Sequence, residues 1–594
     1  MMKAICKKAF VGILSGVVLC AAIPVADTLE LSNTTLTASA IGSRDYTIGD
    51  LTFTMYCPDG MSIVPENALR MEVTDCVDTA VSVTIPSEVY GVPVTAISNK
   101  AFADCTNLTQ IEIPDSVMDI FAHSFDNTPF YENQNPENTP VIINGILVSM
   151  PETASTDIVI PEGVKTVSSG AIADKVHLTG VTLPDSVTRI GRAAFYCATE
   201  LTEITLPPYL ESIGEDAFYN CDRLTGIDLP NTVCSIEESA FDGCLSLTEA
   251  DIPEGVTEIA KSAFLNTGLT RLTLPDTLTK IGAYAFQHCD DLTAVQLPES
   301  LQELGDYAFY SCDALAELNL PDALTEFGIC AFQETAWLTA TQAETPLLVH
   351  NGIAVDGSAC VGAVTFPPDV TKIADGAFKN NTAIVSVTLP EHLELLGDSA
   401  FAGCSQLKSI SIPADVTTFG TDIFASCTGL EQVTLPKNGM PVIPEGMFYN
   451  CTGLKKITIP EGVTVMEHDA LESCRNLEQV SLPKSLTTVK HYAFSGCDAL
   501  STVLYNGTED QWREIDIWWS TNSKLEQANL YFRHFGDVNL DGTVDITDLV
   551  LLSKAQLGVV SLNGVSAANG DGNDDGIADI SDILLLLLLL ESET

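Results

Sequence analysis

Positive charge is what this chain has least of. Its 594 residues carry 27 Lys and Arg against 80 Asp and Glu, a formal net charge of −53. A nucleic-acid-binding surface needs a basic footprint to neutralise phosphates, so that class is excluded, and polybasic docking on an anionic lipid surface goes with it. Long apolar runs are missing as well. The longest in the body of the chain, Ile583 to Leu590, falls far short of the about 18 residues that a membrane-spanning helix needs. No HExxH, no glycine-rich phosphate loop and no CxxC metal spacing occurs. The 8 histidines are scattered, and most, including His288, His392, His468 and His491, occupy variable positions that read as solvent-facing. Carboxylate pairs recur everywhere, so no glycosidase-type pair stands out from the background. Apolar material, by contrast, is ample at 46% of residues, and the acidity is not a sign of disorder.

The N-terminus reads as an export signal. Lys3, Lys7 and Lys8 precede a short apolar stretch, Val11 to Ile23, and small-residue cleavage sites follow at Ala26 and Ala40. Ala40 is favoured, because Thr- and Ala-rich sequence continues up to it. Cys20 follows Leu19, not the small residue a lipid-anchored cysteine wants. The expectation is a signal peptide over 1–40 and a secreted, extracellular protein.

A period of about 23 residues organises the middle. Prolines that end an apolar triplet recur at 184, 207, 230, 253, 275, 298, 321, 367, 390, 413, 436, 460 and 483, after earlier ones at 86, 114 and 161. A typical unit runs Leu201-Thr-Glu-Ile204-Thr-Leu206-Pro207, then a turn, Ile213-Gly214, Ala217-Phe218 and Cys221. Self-similarity at a fixed period means a solenoid, in which stacking units share one core. Leu201, Ile204 and Leu206 should point inward from a short strand, with Glu203 and Thr205 outward, and the Phe218 column should stack through the centre. The steps 114 to 161 and 321 to 367 are double; Asn144-Gly145 and Asn351-Gly352 there signal β-hairpin inserts.

This pattern resembles the BspA-like leucine-rich repeats of bacterial surface proteins. The resemblance implies a β-rich, right-handed leucine-rich repeat solenoid with short helical turns. It divides the chain into a β cap over 41–91, about 16 units over 92–504 with inserts near 141–150 and 346–360, and a closing cap over 505–532. Trp512, Trp518 and Trp519 are read as sealing the open end.

Eleven of the 18 cysteines recur with the repeat: Cys105, Cys197, Cys221, Cys244, Cys289, Cys312, Cys404, Cys427, Cys451, Cys474 and Cys497. A periodic column reads as a buried small apolar slot holding free thiols, because a buried Cys behaves as a small hydrophobe. Neighbouring units could still bring such residues within bridging distance. Cys57 and Cys76 in the opening cap are the better disulfide candidates.

The C-terminus carries the specific chemistry. Asp537, Asn539, Asp541, Thr543, Asp545 and Asp548 fall at positions 1, 3, 5, 7, 9 and 12 of a loop with Gly542 at position 6, where the chain must turn sharply. The pattern returns 34 residues later in Asp571, Asn573, Asp575, Ile577, Asp579 and Asp582, with Gly576 at the turn. Thr543 and Ile577 would offer backbone carbonyls, and a hard cation wants such an oxygen cage. Both loops end in Asp where an ordinary EF-hand has Glu. Neither is read as having a helix before it, and each is followed by an apolar helix, 548–557 and 582–590. The Leu584 to Leu590 run should pair with Leu549, Leu552 and Leu557 in a small core.

Residues 533–594 thus resemble a dockerin, a small all-α module that binds a cohesin on a cellulosome scaffold. The resemblance implies two Ca²⁺ ions, metal-dependent folding, and a cohesin-binding surface at Ile546, Thr547, Lys554, Ile580 and Ser581. Leu587 and Leu588 stand where the family usually has polar or basic residues, which puts two equivalent binding faces in doubt.

The functional expectation is a secreted, non-catalytic adhesion or recognition protein, held on a scaffoldin by its dockerin, with an unknown protein or glycan ligand on the repeats. Its outward strand columns, such as Thr182, Thr205, Asp228, Asp251 and Thr273, could form that surface, although no aromatic stripe runs along them. Two alternatives stand beside it: a carbohydrate-binding accessory component, and a hydrolase with an unrecognised site.

Overall fold

The structure is a computed structural model and describes residues 43–56, 70–134, 139–151, 156–436, 439–532, 536, 538–539, 544, 546–562, 564–571 and 578–592. It divides into two units, Met1–Ala340 and Thr341–Thr594.

The first unit opens with an antiparallel meander, Ser43–Ile48, Leu51–Tyr56 and Arg70–Cys76, whose last strand pairs in parallel with Val92–Ile97. From there the chain coils, and most turns lay down two short strands. First strands of successive turns pair in parallel in short runs, as Gly180–Thr182 does with Glu203–Thr205. Second strands do likewise, as Arg189–Ile190 does with Ser212–Ile213. Ile204 is buried between exposed Glu203 and Thr205, and Leu201 and Leu206 are buried beside it, as the alternation requires. Gly214 closes the second strand where a Cβ would lie 2.7 Å from the Gly191 carbonyl carbon of the previous turn. The close approach of the two backbones explains the glycine.

A third ladder runs along the turns around each Phe. Asp216, Phe218 and Asn220 donate their N–H groups to the carbonyls of Glu238, Ala240 and Asp242 one turn later, at 3.0, 2.8 and 2.8 Å. Asp216 and Asn220 adopt φ of 56° and 54°. The two left-handed residues flank Phe218, and the amides of 216, 218 and 220 all face the next turn. Asp and Asn accept this conformation more readily than most residues. The Phe rings stack behind this ladder, Phe195 on Phe218 at 5.0 Å and 4°, and Phe218 on Phe241 at 5.2 Å and 3°. Each such ring is fully buried and contributes roughly 1.5–3 kcal/mol of transfer free energy.

The cysteine slot lies three residues after the Phe. Cys221 and Cys244 donate their thiols to the carbonyls of Phe195 and Phe218, at 3.3 and 3.2 Å. In the second unit Cys404, Cys427, Cys451 and Cys474 do the same toward Phe378, Phe401, Phe424 and Phe448, all at 3.1 Å. These residues are free thiols, buried as a small hydrophobe would be. Cys197 departs from the sequence reading. It falls one residue early, half-exposed at φ 55°, and buried Ala198 fills the slot. The proposed Cys57–Cys76 pair cannot be placed, because Cys57 lies outside the described residues; the Cys76 thiol is directed at the Val77 carbonyl, 3.7 Å away.

Where the slot holds Thr, the path can change. Thr128 Oγ1 bonds the Phe125 carbonyl at 2.7 Å and accepts the Tyr131 N–H at 3.2 Å, so it caps the helix Pro129–Gln134. Thr335 does the same between Phe332 and Leu338 and opens the helix Ala336–Glu344. Each helix leads to an antiparallel hairpin. The first is Val141–Ile143 with Ile146–Ser149, turning at Asn144 and Gly145 (φ 52° and 77°). The second is Leu348–His350 with Ile353–Asp356, turning at Asn351 and Gly352 (φ 47° and 75°). Two consecutive positive φ angles are the hairpin turn that Asn-Gly favours.

The second unit repeats the same three ladders and is closed by strands Thr502–Tyr505, Asp516–Ile517 and Asn529–Phe532. Its C-terminal part contains three helices, Ile546–Gln556, Gly564–Gly570 and Ile580–Ser592. The outer two begin at loop position 10, two residues before the Asp that sequence reading took as their start. The middle helix corrects a second expectation, since it stands directly before Asp571. Its Gly-Val-Ser-Ala-Ala-Asn-Gly sequence is only seven residues long with Gly at both ends, and its helix gives no periodic signal.

Candidate functional site

The C-terminal helices meet at Val538, Leu552 and Leu586, all fully buried, with Leu549, Leu551, Leu562 and Ile583 packed around them. Leu557 and Leu584, expected in this core, instead point outward at 79% and 59% exposure. Leu586 and Leu552 fill the space, and a helix of consecutive leucines turns only part of its circumference inward. Gly536 holds φ at 95°, and a Cβ there would lie 2.5 Å from Val544 Cγ1 and 2.9 Å from Leu586 Cδ1. Its N–H bonds the Asn569 carbonyl at 2.9 Å and ties the first loop to the middle helix.

The loops close on their last residues. Asp548 is fully buried, and its Oδ1 accepts the Asn539 N–H at 2.8 Å, bringing positions 3 and 12 of the first loop together. Asp582, also fully buried, accepts the Asp579 N–H at 2.7 Å, joining positions 9 and 12 of the second. Asp571 is buried at the entrance to that loop. Two buried carboxylates, each drawn onto its own loop backbone, are oxygen donors of the kind a hard cation takes, and burying such charge is costly without a counter-charge. The described donors therefore fit Ca²⁺. Asp537, Asp541, Thr543, Asp545, Asn573, Asp575 and Ile577 lie outside the described residues.

Of the five expected docking residues, three come together. Ile546, Thr547 and Lys554 line one shallow depression with Asn539, Val550 and Leu551. Asn539 Nδ2 bonds Thr547 Oγ1 at 2.9 Å, so the loop holds one wall of the depression in place. Ile580 and Ser581 lie on the other helix, outside this depression; Ile580 is 69% exposed, and the Ser581 N–H bonds Asp579 Oδ1 at 2.7 Å. The two helices differ in what they expose. The first offers Ile546, Val550 and Lys554 at successive turns, and the second offers Ile580, Leu584 and Leu587.

On the repeats, the outward strand residues partly satisfy one another. Arg271 bonds Glu249 at 2.7 Å and Asp251 at 2.9 Å, and the Asn319 side chain is held by the Leu297 backbone at 2.7 and 2.9 Å. Two histidines that read as solvent-facing are only half-exposed: His468 stacks on His491 at 5.5 Å, and Trp518 stands edge-on to both. Trp512 packs on Tyr505 at 5.2 Å, whereas Trp518 and Trp519 stay 40% exposed.

Residues 77–196, 149–267, 257–384, 356–475 and 429–530 match the sequence model of the BspA type Leucine rich repeat region, and residues 535–590 match that of the Dockerin type I domain. Among solved structures, the chain is similar to a leucine rich cell surface protein from Faecalibacterium prausnitzii A2-165, with 23% identity, 80% of this chain and 97% of that one covered, and a TM-score of 0.33. A leucine-rich repeat protein from Bacteroides ovatus ATCC 8483 is similar at 22% identity, covering 82% and 99%, with a TM-score of 0.31. Another, from Eubacterium ventriosum ATCC 27560, is similar at 22%, covering 62% and 89%, with a TM-score of 0.34. No curated protein matches the chain.

Proposed function

Since the chain belongs to the BspA-type leucine-rich repeat family and ends in a dockerin type I module, we propose that it is an extracellular, non-catalytic recognition protein carried on a cohesin-bearing scaffold. The repeats present the recognition surface, and the C-terminal module is the plug. The observation that carries this reading is the duplicated oxygen-donor loop, with Asp548 and Asp582 buried at the end of each copy.

One Ca²⁺ would be held by Asp537, Asn539, Asp541, the Thr543 carbonyl, Asp545 and Asp548, and a second by Asp571, Asn573, Asp575, the Ile577 carbonyl, Asp579 and Asp582. The ions supply positive charge that offsets the repulsion among these carboxylates. Asn539 then orients Thr547, and the depression over Ile546, Val550 and Lys554 meets the cohesin. The other helix presents Ile580 and Ser581 with leucines beside them, a chemically different surface, so the two helices are unequal in docking.

The test is capture of the full chain on immobilised cohesin with Ca²⁺ and with chelator. Capture is expected only with Ca²⁺, and undiminished capture in chelator would refute the metal assignment. Lys554→Glu should weaken capture more than Ser581→Glu if the first helix leads.

A further inference from the structure

The strand face is not the only candidate surface on the repeats. Four aromatic rings gather on the turn face of the first unit. Tyr284 stacks on Tyr307 at 5.2 Å and 4°. Tyr310 stands across Tyr307 at 5.5 Å and 77°, and His288 stands across Tyr310 at 6.2 Å and 84°. The three tyrosines are half-buried, His288 is exposed, and the rings form a corner with two walls nearly at right angles.

The stack itself does not call for these rings. Tyr284 and Tyr307 occupy the left-handed position two residues before the Phe, at φ 60° and 54°. In the two turns before, the same position holds Ser239 and Ser262, at φ 53° and 55°. Bulky residues are uncommon in this conformation, and here two follow one another. The rim is polar and fixed: Tyr310 Oη donates to Glu334 Oε1 at 3.0 Å, and Ser311 Oγ donates to the other oxygen of the same carboxylate. Glu334, Asp290 and Asp306 give the surroundings a negative sign.

We infer that the repeats bind a neutral glycan on this aromatic corner, with a sugar ring lying against Tyr307 and Tyr310 and its hydroxyls bonded to Glu334. Aromatic faces take the C–H face of a sugar, and a fixed carboxylate accepts its hydroxyls. The negative rim disfavours acidic polymers. The inference rests on the reading of the repeats as a recognition surface and is independent of the dockerin.

The test is calorimetric titration of the full chain with cellohexaose, xylohexaose, mannohexaose and an oligogalacturonate. At least one neutral hexaose is expected to bind, and the oligogalacturonate is expected to bind least. Tyr307→Ser, which installs the residue that earlier turns carry, should weaken binding roughly tenfold, the loss of one to two ring contacts. Tyr310→Ser removes the other wall and should weaken binding to a similar degree; urea unfolding of both variants should match the parent, which guards against a folding defect. Thr205→Ala on the strand face should change nothing. Loss in Thr205→Ala with Tyr307→Ser unaffected overturns the inference and moves the site to the strands. Binding of a cell-surface protein but of no neutral glycan overturns it while the recognition reading stands; if neither binds, both fall.

Discussion

Asn522 Oδ1 accepts the Phe494 N–H at 2.9 Å. In regular turns the matching amide is taken by a backbone carbonyl of the next turn, as Phe424 is by Met447 and Phe448 is by Ala470. At the last turn no further repeat exists, and two side chains stand in for its carbonyls: Asn522 for Phe494, and Thr521 Oγ1 for the Tyr492 N–H at 3.2 Å. Asn522 is fully buried and anchored by its Nδ2 to the Lys490 carbonyl at 2.8 Å and the Trp518 carbonyl at 3.0 Å. The repeat stack therefore ends on hydrogen-bond acceptors and not only on apolar cover.

Removing that acceptor should loosen the last turn. Asn522→Leu leaves the buried Phe494 amide unpaired and is expected to cost about 1–3 kcal/mol in urea unfolding, with faster exchange of that amide. Asn522→Asp retains an acceptor for Phe494 and should cost less. Equal stability of the leucine variant and the parent would show that the cap is apolar after all.

Three thiols of the column, Cys221, Cys244 and Cys474, should be chemically silent in the folded protein. Burial pushes the Cys221 and Cys474 thiols up to about 12 and raises Cys244 well above its ordinary value. Thiolate is therefore scarce at pH 8. Iodoacetamide labelling read by mass spectrometry should reach half-exposed Cys234 well before these three, and urea should abolish the difference. Cys427→Ser should be tolerated within about 1 kcal/mol, because a hydroxyl in this slot can still donate to a Phe carbonyl, as Thr267 does to that of Phe264 in its own turn at 3.0 Å.

Asp242 makes the first unit sensitive to pH. Partial burial, with the Asp216 charge added, raises its carboxyl from 3.8 to about 6. Between those values the folded state holds a proton that the unfolded chain has released, so this group's contribution to stability falls as pH rises from about 4 to about 6. Asp242→Asn should raise the unfolding temperature at pH 7.5 and make little difference at pH 4. A larger gain at pH 4 than at pH 7.5 would contradict the assignment. The group is half-exposed, and solvent screening keeps the gain small.

Gly536→Ala should damage the C-terminal module. The new methyl meets Val544 and Leu586, and the backbone at φ 95° is strained for any L side chain. A loss of about 1–3 kcal/mol is expected. The readout is weaker cohesin capture at saturating Ca²⁺, with unfolding of the repeats unchanged.

Local order in the sequence carried much of the architecture. A side chain repeated every 23 residues must face the same environment in every turn, so the Leu, Ile and Phe columns could be assigned inward and Glu203 and Thr205 outward before any coordinates. The two acidic loops were readable as a duplication, because Asp and Asn recur at the same positions around Gly542 and Gly576. Counting failed where chemistry distracted from register: Cys197 looked like its column mates, but the slot is three residues after the Phe and belongs to Ala198. It failed too in the helix Gly564–Gly570, a short segment with glycine at both ends and no apolar periodicity to announce it.

The sequence by itself determined the period, the inward columns and the duplicated donor loops, because each depends on spacing along one segment. Tertiary structure decided which leucines of Ile580–Ser592 are buried, which side chains replace the missing carbonyls at Phe494 and Tyr492, and that Tyr284, Tyr307 and Tyr310 meet in one corner. Those relations join residues of different turns or segments. Only stacking, which sets one turn about 5 Å from the next, brings them within reach of a ring contact or a hydrogen bond.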